Sequence, residues 1–263
     1  MKIGFIGCGN MGGALAGAVS KYCGSDIYLC DFDGEKLRTL CDATGGKAIC
    51  AKEIFEICDY IFLGVKPAAV PSVLSENAGM LSHNSKSVLI SMAAGVKIEK
   101  IEKFLPTPHP VIRIMPNTPV AKGLGMTVYC KNDLVSEEQA AEFSAFMEPS
   151  GKLDYISEGL IDAACAVSGC GPAFAYMFIE ALADGGVECG LPRDKALLYA
   201  SQMLKGAAEM ALSTGKHPGV LKDEVCSPGG STIEGVHALE EGAFRATSID
   251  AVKAAYEKTK KLG

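Results

Sequence analysis

The sequence predicts an α/β first half, in which helices cover a parallel sheet, followed by an all-α second half. Short runs rich in Ile, Val, Leu and Phe alternate with helix-like segments through the first half. This alternation is typical of parallel strands with helices on both faces. After about Ser157 the strand-like runs stop, and long segments rich in Ala, Gly and Met follow. We therefore expect two domains, at residues 1–157 and 158–263.

Length and composition fit two ordinary globular domains. The chain has 263 residues, of which 48% are apolar and 21% are charged, so each domain can bury a core of its own. The formal net charge of −6 argues against nucleic acid or an anionic membrane as the main partner. The eleven cysteines include no Cys-x-x-Cys pair. We therefore expect free thiols in the reducing cytoplasm and no metal site.

The predicted strands of the first half are compact apolar runs bounded by turn residues. They are Lys2–Ile6, Ile27–Cys30, Tyr60–Val65, Val88–Ser91 and Val111–Met115, with Gly125–Cys130 and Lys152–Ile156 as additional edge strands. Helices are expected between several of them, for example at Met11–Tyr22 and Gly34–Cys41. This order predicts βαβ units.

The helices predicted for the second half are rich in small residues. They cover Leu160–Val167, Pro172–Cys189, Arg193–Leu212 and Thr232–Leu262, the last one open to a break near Ser248. The uncharged stretch Ala163–Ile179 is nearly long enough to span a membrane. Turn residues at 169–172 divide it, so we interpret it as two buried helical pieces. Small residues let helices approach closely, which suits a subunit interface or a monomeric helical core. The Gly185-Gly186 pair should lie at such an approach.

A glycine-rich loop joins the first predicted strand to the first predicted helix. After Ile6 the chain reads Gly7-Cys8-Gly9-Asn10-Met11-Gly12, which has the G-x-G-x-x-G spacing. The first glycine of this motif permits a tight turn, the second admits a pyrophosphate, and the third lets the helix pack on the strand. A strand before it and a helix after it are the context that the motif requires. We therefore predict a Rossmann-type domain that binds NADPH or NADH through Ile6 and these six residues.

Asp31 ends the second predicted strand, where dinucleotide-binding folds carry an acid for the ribose 2′-OH. Such a carboxylate repels a 2′-phosphate, so it favours NADH, although Lys36 and Arg38 follow closely and could soften that preference. Equally, Asp31 and Asp33 could simply open a turn and cap the helix that begins at Gly34.

Three further loops should line the cofactor site, because ligands of open α/β sheets bind at the carboxyl ends of the strands. They are Gly64-Val65-Lys66-Pro67, Met92-Ala93-Ala94, and the loop containing Asn117. Two prolines flank Asn117-Thr118 and stiffen that loop, as a site that positions an amide would require. Each loop alone could be a simple connecting turn, but together the three loops favour a pocket that they line.

A second glycine-bearing helix start lies in the second half. It reads Ser227-Pro228-Gly229-Gly230-Ser231-Thr232-Ile233-Glu234, and Ser231 with Glu234 has the spacing of a capping box. If Ser231 is the N-cap, the Thr232 hydroxyl is free, and the first-turn N–H groups form a carboxylate site. The alternative is a capped helix start with no ligand.

Five segments, in order and spacing, resemble pyrroline-5-carboxylate reductases over essentially the whole chain. They are Gly7–Gly12, Val65–Pro67, Arg113–Pro119, Ser168–Phe174 and Ser227–Thr232. The Met-Pro-Asn-Thr-Pro and Ser-Pro-Gly-Gly-x-Thr signatures within them are specific to that family.

The resemblance implies transfer of a hydride from NAD(P)H to the C=N bond of pyrroline-5-carboxylate, which gives L-proline. It assigns the substrate to Ser227, Gly229, Gly230, Ser231 and Thr232. Thr232 would hydrogen-bond the imine nitrogen as an orienting or relaying group, because a threonine hydroxyl is too weak an acid to drive protonation alone. It also implies a homodimer, often assembled further, formed through the helical domain.

Two features depart from the family pattern. Cys30-Asp31-Phe32-Asp33 stands where many members carry a polar residue or Arg, and Ala51 stands where members can carry a cofactor-contacting Asn. For this reason we do not carry over a 2′-phosphate site.

Two other functions fit the sequence less well. A β-hydroxyacid dehydrogenase needs a lysine on the first long helix of its second domain, and Leu160–Leu182 contains none. A dinucleotide-sensing protein without turnover would have no use for the Ser-Pro-Gly-Gly-Ser-Thr segment.

Overall fold

The computed structural model describes residues 1–24 and 26–261. In these residues eight strands form one sheet. They are β1 (Ile3–Ile6), β2 (Ile27–Cys30), β3 (Lys47–Ala48), β4 (Tyr60–Leu63), β5 (Val88–Ser91), β6 (Val111–Met115), β7 (Gly125–Lys131) and β8 (Gly151–Tyr155). All seven strands predicted from the sequence are present. The two-residue β3 was missed because it is too short to show an alternating pattern.

The strand order is β3-β2-β1-β4-β5-β6-β7-β8, so the order reverses beside β1. All neighbouring pairs are parallel except β6 with β7. The prediction that Gly125–Cys130 is an edge strand was wrong, because β7 pairs with β6 on one side and β8 on the other. The reversal at β1 opens a crevice between β1 and β4, where a Rossmann domain binds its ligand.

Helices pack on both faces of the sheet, as predicted. They are α1 (Asn10–Cys23), α2 (Gly34–Thr44), α3 (Ala51–Ile57), α4 (Val70–Glu76), α5 (Ala78–His83), α6 (Ile98–Glu102), α7 (Glu137–Met147) and α8 (Ile161–Ala164). One hydrophobic cluster joins Ile61 of β4 to Ile54 of α3 and Ile101 of α6. The other joins Phe62 of β4 to Leu15 of α1 and Phe143 of α7. Adjacent residues of one strand thus face opposite cores, which is the alternation that a two-sided sheet requires.

The chain forms two compact units. The first comprises Met1–Cys170 and the end of the chain from Ala255, and the second comprises Gly171–Ala254. The domain boundary predicted between residues 157 and 158 stays a prediction.

The remaining helices are α9 (Gly171–Glu188), α10 (Arg193–Thr214), α11 (Pro218–Val225), α12 (Ser231–Glu241) and α13 (Phe244–Thr259). Sequence reasoning missed α11. The break in the last predicted helix falls at Gly242–Ala243, where Ala243 has a φ of +55°, and not near Ser248, so that expectation was wrong. The predicted end at Leu262 lies outside the described residues.

The uncharged stretch Ala163–Ile179 is not two buried pieces around a turn. A π-helical turn, Cys165–Gly169, carries the helical conformation from α8 almost directly into α9. The run Glu158–Glu188 is long and apolar enough to cross a membrane by length and composition, and only 11% of its most apolar stretch is buried within this chain. The glycines at 169 and 171 are thus accommodated inside helical structure.

The close helix approach expected at Gly185-Gly186 occurs within the chain at the second of these residues. A Cβ on Gly186 would lie 3.2 Å from the Ala196 Cβ of α10, whereas a Cβ on Gly185 would meet no atom within 4 Å. Gly186 therefore serves the packing of α9 on α10.

A buried histidine should make the stability of the first unit depend on pH. His109 is fully buried; its Nε2 lies 2.9 Å from Ser87 Oγ, while Nδ1 has no partner among the described residues. Burial lowers the His109 pKa below its usual 6.5, because a charged imidazole loses its hydration there. The unfolded chain then binds the proton more readily. The contribution to stability is full above about pH 6.5 and is lost as the pH falls towards the lowered pKa.

We expect the free energy of unfolding to fall between about pH 7.5 and about pH 5.5, and the fall to be smaller in His109→Gln. Urea unfolding at the two pH values measures both. His83→Gln, at an exposed helical position, is the matched control and should leave the pH dependence unchanged. An equal fall in wild type and His109→Gln would contradict this prediction.

Candidate functional site

The glycine-rich loop has the geometry that its sequence predicts. Gly7 follows β1 with a φ of +92°, and a Cβ there would lie 2.6 Å from the Gly64 carbonyl carbon. A Cβ on Gly12 would lie 2.1 Å from the Gly7 carbonyl oxygen, so only glycine lets α1 approach the loop this closely. By contrast, a Cβ on Gly9 would meet no atom within 4 Å. The space in front of Gly9 is therefore open, as a site for a pyrophosphate requires.

The start of α1 can hold an anion. Its N-cap is Gly9, no side chain caps the helix, and the first turn contains no acidic residue. The first-turn N–H groups and the positive end of the helix dipole are therefore available to a phosphate. Beside them runs a groove of about 580 Å³ between the loop and the start of α2, lined on opposite sides by Asn10 and Lys36. A dinucleotide thus fits the residues present.

Asp31 supports the glycine-rich loop directly. Its Oδ2 accepts the Cys8 N–H at 2.5 Å, and its Oδ1 accepts the Asp33 N–H at 2.9 Å. The cap of α2 is Asp33, whose Oδ1 accepts the Lys36 N–H at 3.1 Å. Asp31 therefore opens the turn without capping the helix, and it joins the end of β2 to the loop. Its bond with the ribose 2′-OH stays a prediction.

The Cys8 thiol in this loop is a packing group. It is buried, and burial raises its pKa to about 12, so it carries almost no reactive thiolate at neutral pH. The Cys58 and Cys130 thiols have pKa values raised to about 12 for the same reason. These cysteines behave as small core residues.

The predicted loops meet at one edge of the sheet. Ile6, Leu63 and Ser91 end three neighbouring parallel strands in register, so the loops that follow them emerge together. A Cβ on Gly64 would lie 2.3 Å from the Gly7 carbonyl oxygen, which brings Gly64-Val65-Lys66-Pro67 against the glycine-rich loop. Ala93 is buried beside them, and its N–H donates to Ser91 Oγ at 3.3 Å. The arrangement can therefore cover a dinucleotide along the β1–β4–β5 edge.

Asn117 lies at the same edge, after β6, but its amide is directed into the protein. The side chain binds the backbone of Met126 and Ser168. The predicted contact between this amide and the cofactor is untested. The link to Ser168 was not foreseen, because it joins residues far apart in the sequence.

The second glycine-bearing helix start differs from the prediction by one residue. The N-cap of α12 is Gly230, in an extended conformation, and no side chain caps the helix. Ser231 is therefore the first helical residue, so the predicted capping box with Glu234 was wrong. A turn in which Gly230 N–H donates to the Ser227 carbonyl, with Gly229 at a φ of +67°, sets the earlier start.

This start presents a free anion-binding end. Both Ser231 and Thr232 are exposed in the first turn, and the first-turn N–H groups have no side-chain cap. A carboxylate could accept hydrogen bonds from these N–H groups. The Thr232 hydroxyl beside them is not needed for capping. The sequence predicts this with Ser231 as the cap, whereas in the structure the N-cap is Gly230.

Two family models match the chain. One, described as pyrroline-5-carboxylate reductase dimerisation, matches residues 158–262. The other, described as NADP oxidoreductase coenzyme F420-dependent, matches residues 2–95. The first covers the helical half and the second covers the glycine-rich loop and the first five strands.

Relatives match over almost the full length. The chain is 43% identical to a pyrroline-5-carboxylate reductase of Escherichia coli strain K12, over 99% of this chain and 98% of the relative. It is 40% identical to one of Arabidopsis thaliana, over 99% and 95%. Among solved structures, a Plasmodium falciparum pyrroline carboxylate reductase with NADP bound is similar with a TM-score of 0.88. It is 33% identical, and the match covers 100% of this chain and 98% of that one.

Proposed function

The chain belongs to the pyrroline-5-carboxylate reductase family, and on this premise we propose that it reduces the C=N bond of L-1-pyrroline-5-carboxylate to L-proline, the last step of proline biosynthesis. The observation that carries the proposal is the 43% identity to the Escherichia coli enzyme over 99% of the chain. The open phosphate site at Gly9 and the uncapped start of α12 support it. NAD(P)H supplies the hydride when bound.

The residues of this chain would bind the cofactor at one site and the substrate at another. Backbone N–H groups of the first turn of α1 hold the pyrophosphate, and Gly64–Pro67 with Met92–Ala94 cover the cofactor. The start of α12 binds the substrate carboxylate, while the Thr232 hydroxyl orients the imine nitrogen and passes on to it a proton that it regains from solvent water. Positioning of this kind accounts for much of the rate in a reaction between two bound molecules.

The test is an assay with the purified chain, pyrroline-5-carboxylate and each reduced cofactor. We expect loss of reduced-nicotinamide absorbance that depends on the imine, with proline as the product in equal amount. The control substrate is 1-pyrroline, the same cyclic imine without the carboxylate, and it should react much more slowly because nothing in it binds the start of α12. Absence of imine-dependent oxidation with both cofactors would refute the proposed function.

Asp31 is the residue expected to set the choice of cofactor. Its negative charge near the ribose should disfavour the 2′-phosphate of NADPH. The variant Asp31→Asn removes the charge and keeps an oxygen that accepts the Cys8 N–H, while the bond from the Asp33 N–H is lost. It should raise the ratio of kcat/KM for NADPH to that for NADH by about tenfold or less, as expected for one charge in a partly solvated site. Steady-state kinetics with both cofactors measure the ratio.

Asp33→Asn is the matched control for this prediction. Asp33 lies two residues further along and caps α2. Asparagine caps a helix about as well as aspartate, so Asp33→Asn should leave helix stability nearly unchanged and alter the cofactor ratio less than Asp31→Asn does. An unchanged ratio in Asp31→Asn would assign Asp31 to support of the glycine-rich loop alone.

We propose further that the chain forms homodimers through its helical half, in the cytoplasm. The dimerisation model supports this assembly because it covers residues 158–262. An apolar groove of about 480 Å³ in the second unit supports it too, since Met177, Phe178 and Phe244 line it. Large exposed apolar surface on a chain usually marks a contact with another chain. The exposed apolar run Glu158–Glu188 then belongs to the dimer, and the eleven free cysteines suit a reducing compartment.

A charge in the groove should therefore block assembly. Met177 is 68% exposed in the single chain, and Met177→Lys would place an ammonium group in an apolar interface. We expect sedimentation velocity to show dimers or larger species for the wild type and monomers for Met177→Lys. Leu134→Lys, at a 48% exposed position of the first unit, should leave the assembly unchanged. A wild-type chain that is monomeric and fully active would contradict the proposal.

A further inference from the structure

A single amide side chain ties the loop after β6 to the π-helical turn. Asn117 is 9% exposed. Its Nδ2 donates to the Ser168 carbonyl at 3.0 Å, and its Oδ1 accepts the Met126 N–H at 2.9 Å. Each end of the amide therefore holds a backbone group of this chain, and the two bonds fix both the loop and the turn.

The turn that Asn117 holds is irregular. Cys165–Gly169 is π-helical, and the Cys170 N–H donates to the Cys165 carbonyl at 2.9 Å. A π turn interrupts the regular ladder of an α-helix, and such turns are frequent at functional sites. The Ser168 carbonyl is drawn to a side chain outside the helix. Asn117 thus holds the carbonyl of a residue inside the turn.

A buried ion-pair cluster holds the residues just before the turn. Arg113 of β6 is fully buried, and its Nη2 lies 2.8 Å from Asp162 Oδ1. Its Nη1 lies 3.3 Å from Glu158 Oε1, which also accepts the Ile98 N–H at 2.7 Å. These ion pairs hold the start of the helical segment, and the Asn117 bond holds the turn that follows it.

The place of Asn117 at the edge of the sheet indicates the role of the turn that it binds. The glycine-rich loop lies at the end of β1, and Asp31 lies on the β2 side of it. A dinucleotide crosses the sheet at the order reversal, with the half that the acid holds at β2 and the other half over β4 to β6. Asn117 follows the last of these strands. The Asn117–Ser168 bond therefore lies at the nicotinamide end of the site, where a substrate must meet the ring.

We propose that Asn117 is a positioning residue, which holds the Ser168 carbonyl so that the π turn forms a fixed wall beside the reacting groups. The inference rests on the proposed function. Asn117 acts through the turn, so it governs turnover and not the affinity for the dinucleotide, whose pyrophosphate is held at α1.

The variant Asn117→Asp tests this role. It keeps an oxygen for the Met126 N–H, but it replaces the donor with an oxygen that faces the Ser168 carbonyl. We expect kcat with pyrroline-5-carboxylate to fall about ten- to a hundredfold, as for a small displacement of reacting groups. The dissociation constants of NADH and NADPH, measured by titration without substrate, should be nearly unchanged.

The chain offers a matched control at the other end of β6. The Asn132 Oδ1 accepts the Val111 N–H at 3.1 Å, and its Nδ2 donates to the His109 carbonyl and to Glu102 Oε1, each at 2.9 Å. Asn132→Asp removes the same kind of donor at the amino edge of the sheet and also sets a carboxylate against Glu102, so it should lower stability without lowering kcat. If either Asp variant fails to fold, Asn117→Ala and Asn132→Ala replace the pair without adding charge.

The outcomes separate the explanations. An unchanged kcat in Asn117→Asp overturns the inference while the proposed function stands. Weaker cofactor binding with an unchanged kcat assigns Asn117 to direct contact with the cofactor, and an equal loss of kcat in both variants assigns it to general stability; each overturns the inference. A wild-type chain without imine-dependent turnover refutes the proposed function and this role with it.

Discussion

Replacing Gly9 with valine is expected to abolish dinucleotide binding and to leave the protein folded. The position of a Cβ on Gly9 meets no atom of the chain within 4 Å, so the side chain can be added without strain. It would occupy the space in front of the first turn of α1, where the pyrophosphate approaches the backbone. Turnover should be lost together with binding.

Titration with NADH and NADPH, beside thermal unfolding, measures both parts of this prediction. Gly12→Val is the contrasting variant: its Cβ would lie 2.1 Å from the Gly7 carbonyl oxygen, so it should lose stability as well as binding. Gly17→Ala, in the same helix and with open space around it, is the control. It should weaken neither cofactor binding nor stability. Normal cofactor titration by Gly9→Val would refute the assignment of the glycine-rich loop as the phosphate site.

The glycine-rich loop could be predicted because its signals are local. The positive φ of Gly7 and the close approach of Gly12 to the Gly7 carbonyl are set within a few positions in the chain, and each excludes a side chain. The strands were equally predictable, since runs such as Val88–Ser91 are buried on both faces and are therefore apolar throughout.

Two kinds of feature could not be predicted from the sequence: hydrogen bonds between distant residues, and the residue at which a helix begins when two starts are almost equally favourable. The partner of Asp31 is a backbone N–H 23 residues away, and that of Asn117 is a carbonyl 51 residues away. No pattern in the sequence marks either pairing. At α12 the spacing of Ser231 and Glu234 fits a capping box, but the turn at Ser227–Gly230 starts the helix one residue earlier. A shift of one residue in the start of a helix depends on the backbone angles of the preceding turn. The residue types at 227–230 allow these angles but do not dictate them.

Replacing Thr232 with alanine is expected to lower kcat by about a hundredfold, the low end of the range for groups that assist proton transfer. The imine nitrogen would lose its hydrogen-bond partner as it becomes an amine. A stronger effect is not expected, since a threonine hydroxyl is a weak acid. Stability should be nearly unchanged, because Thr232 is exposed and Gly230 provides the N-cap without a side-chain bond.

The neighbouring serine supplies the control for this prediction. Ser231→Ala makes a similar change one residue earlier. Because Ser231 does not cap α12, it should leave stability and kcat almost unaltered, and its place in the proposed carboxylate site should show as a higher KM for the imine. Thr232→Ser keeps the hydroxyl and should retain most of the activity, whereas Thr232→Val keeps the shape and should behave like alanine. Kinetics with saturating cofactor and imine, together with thermal unfolding, distinguish the four variants. If Thr232→Ala turns over as fast as the wild type, the nitrogen receives its proton from water or arrives already protonated, and Thr232 has no part in the chemistry.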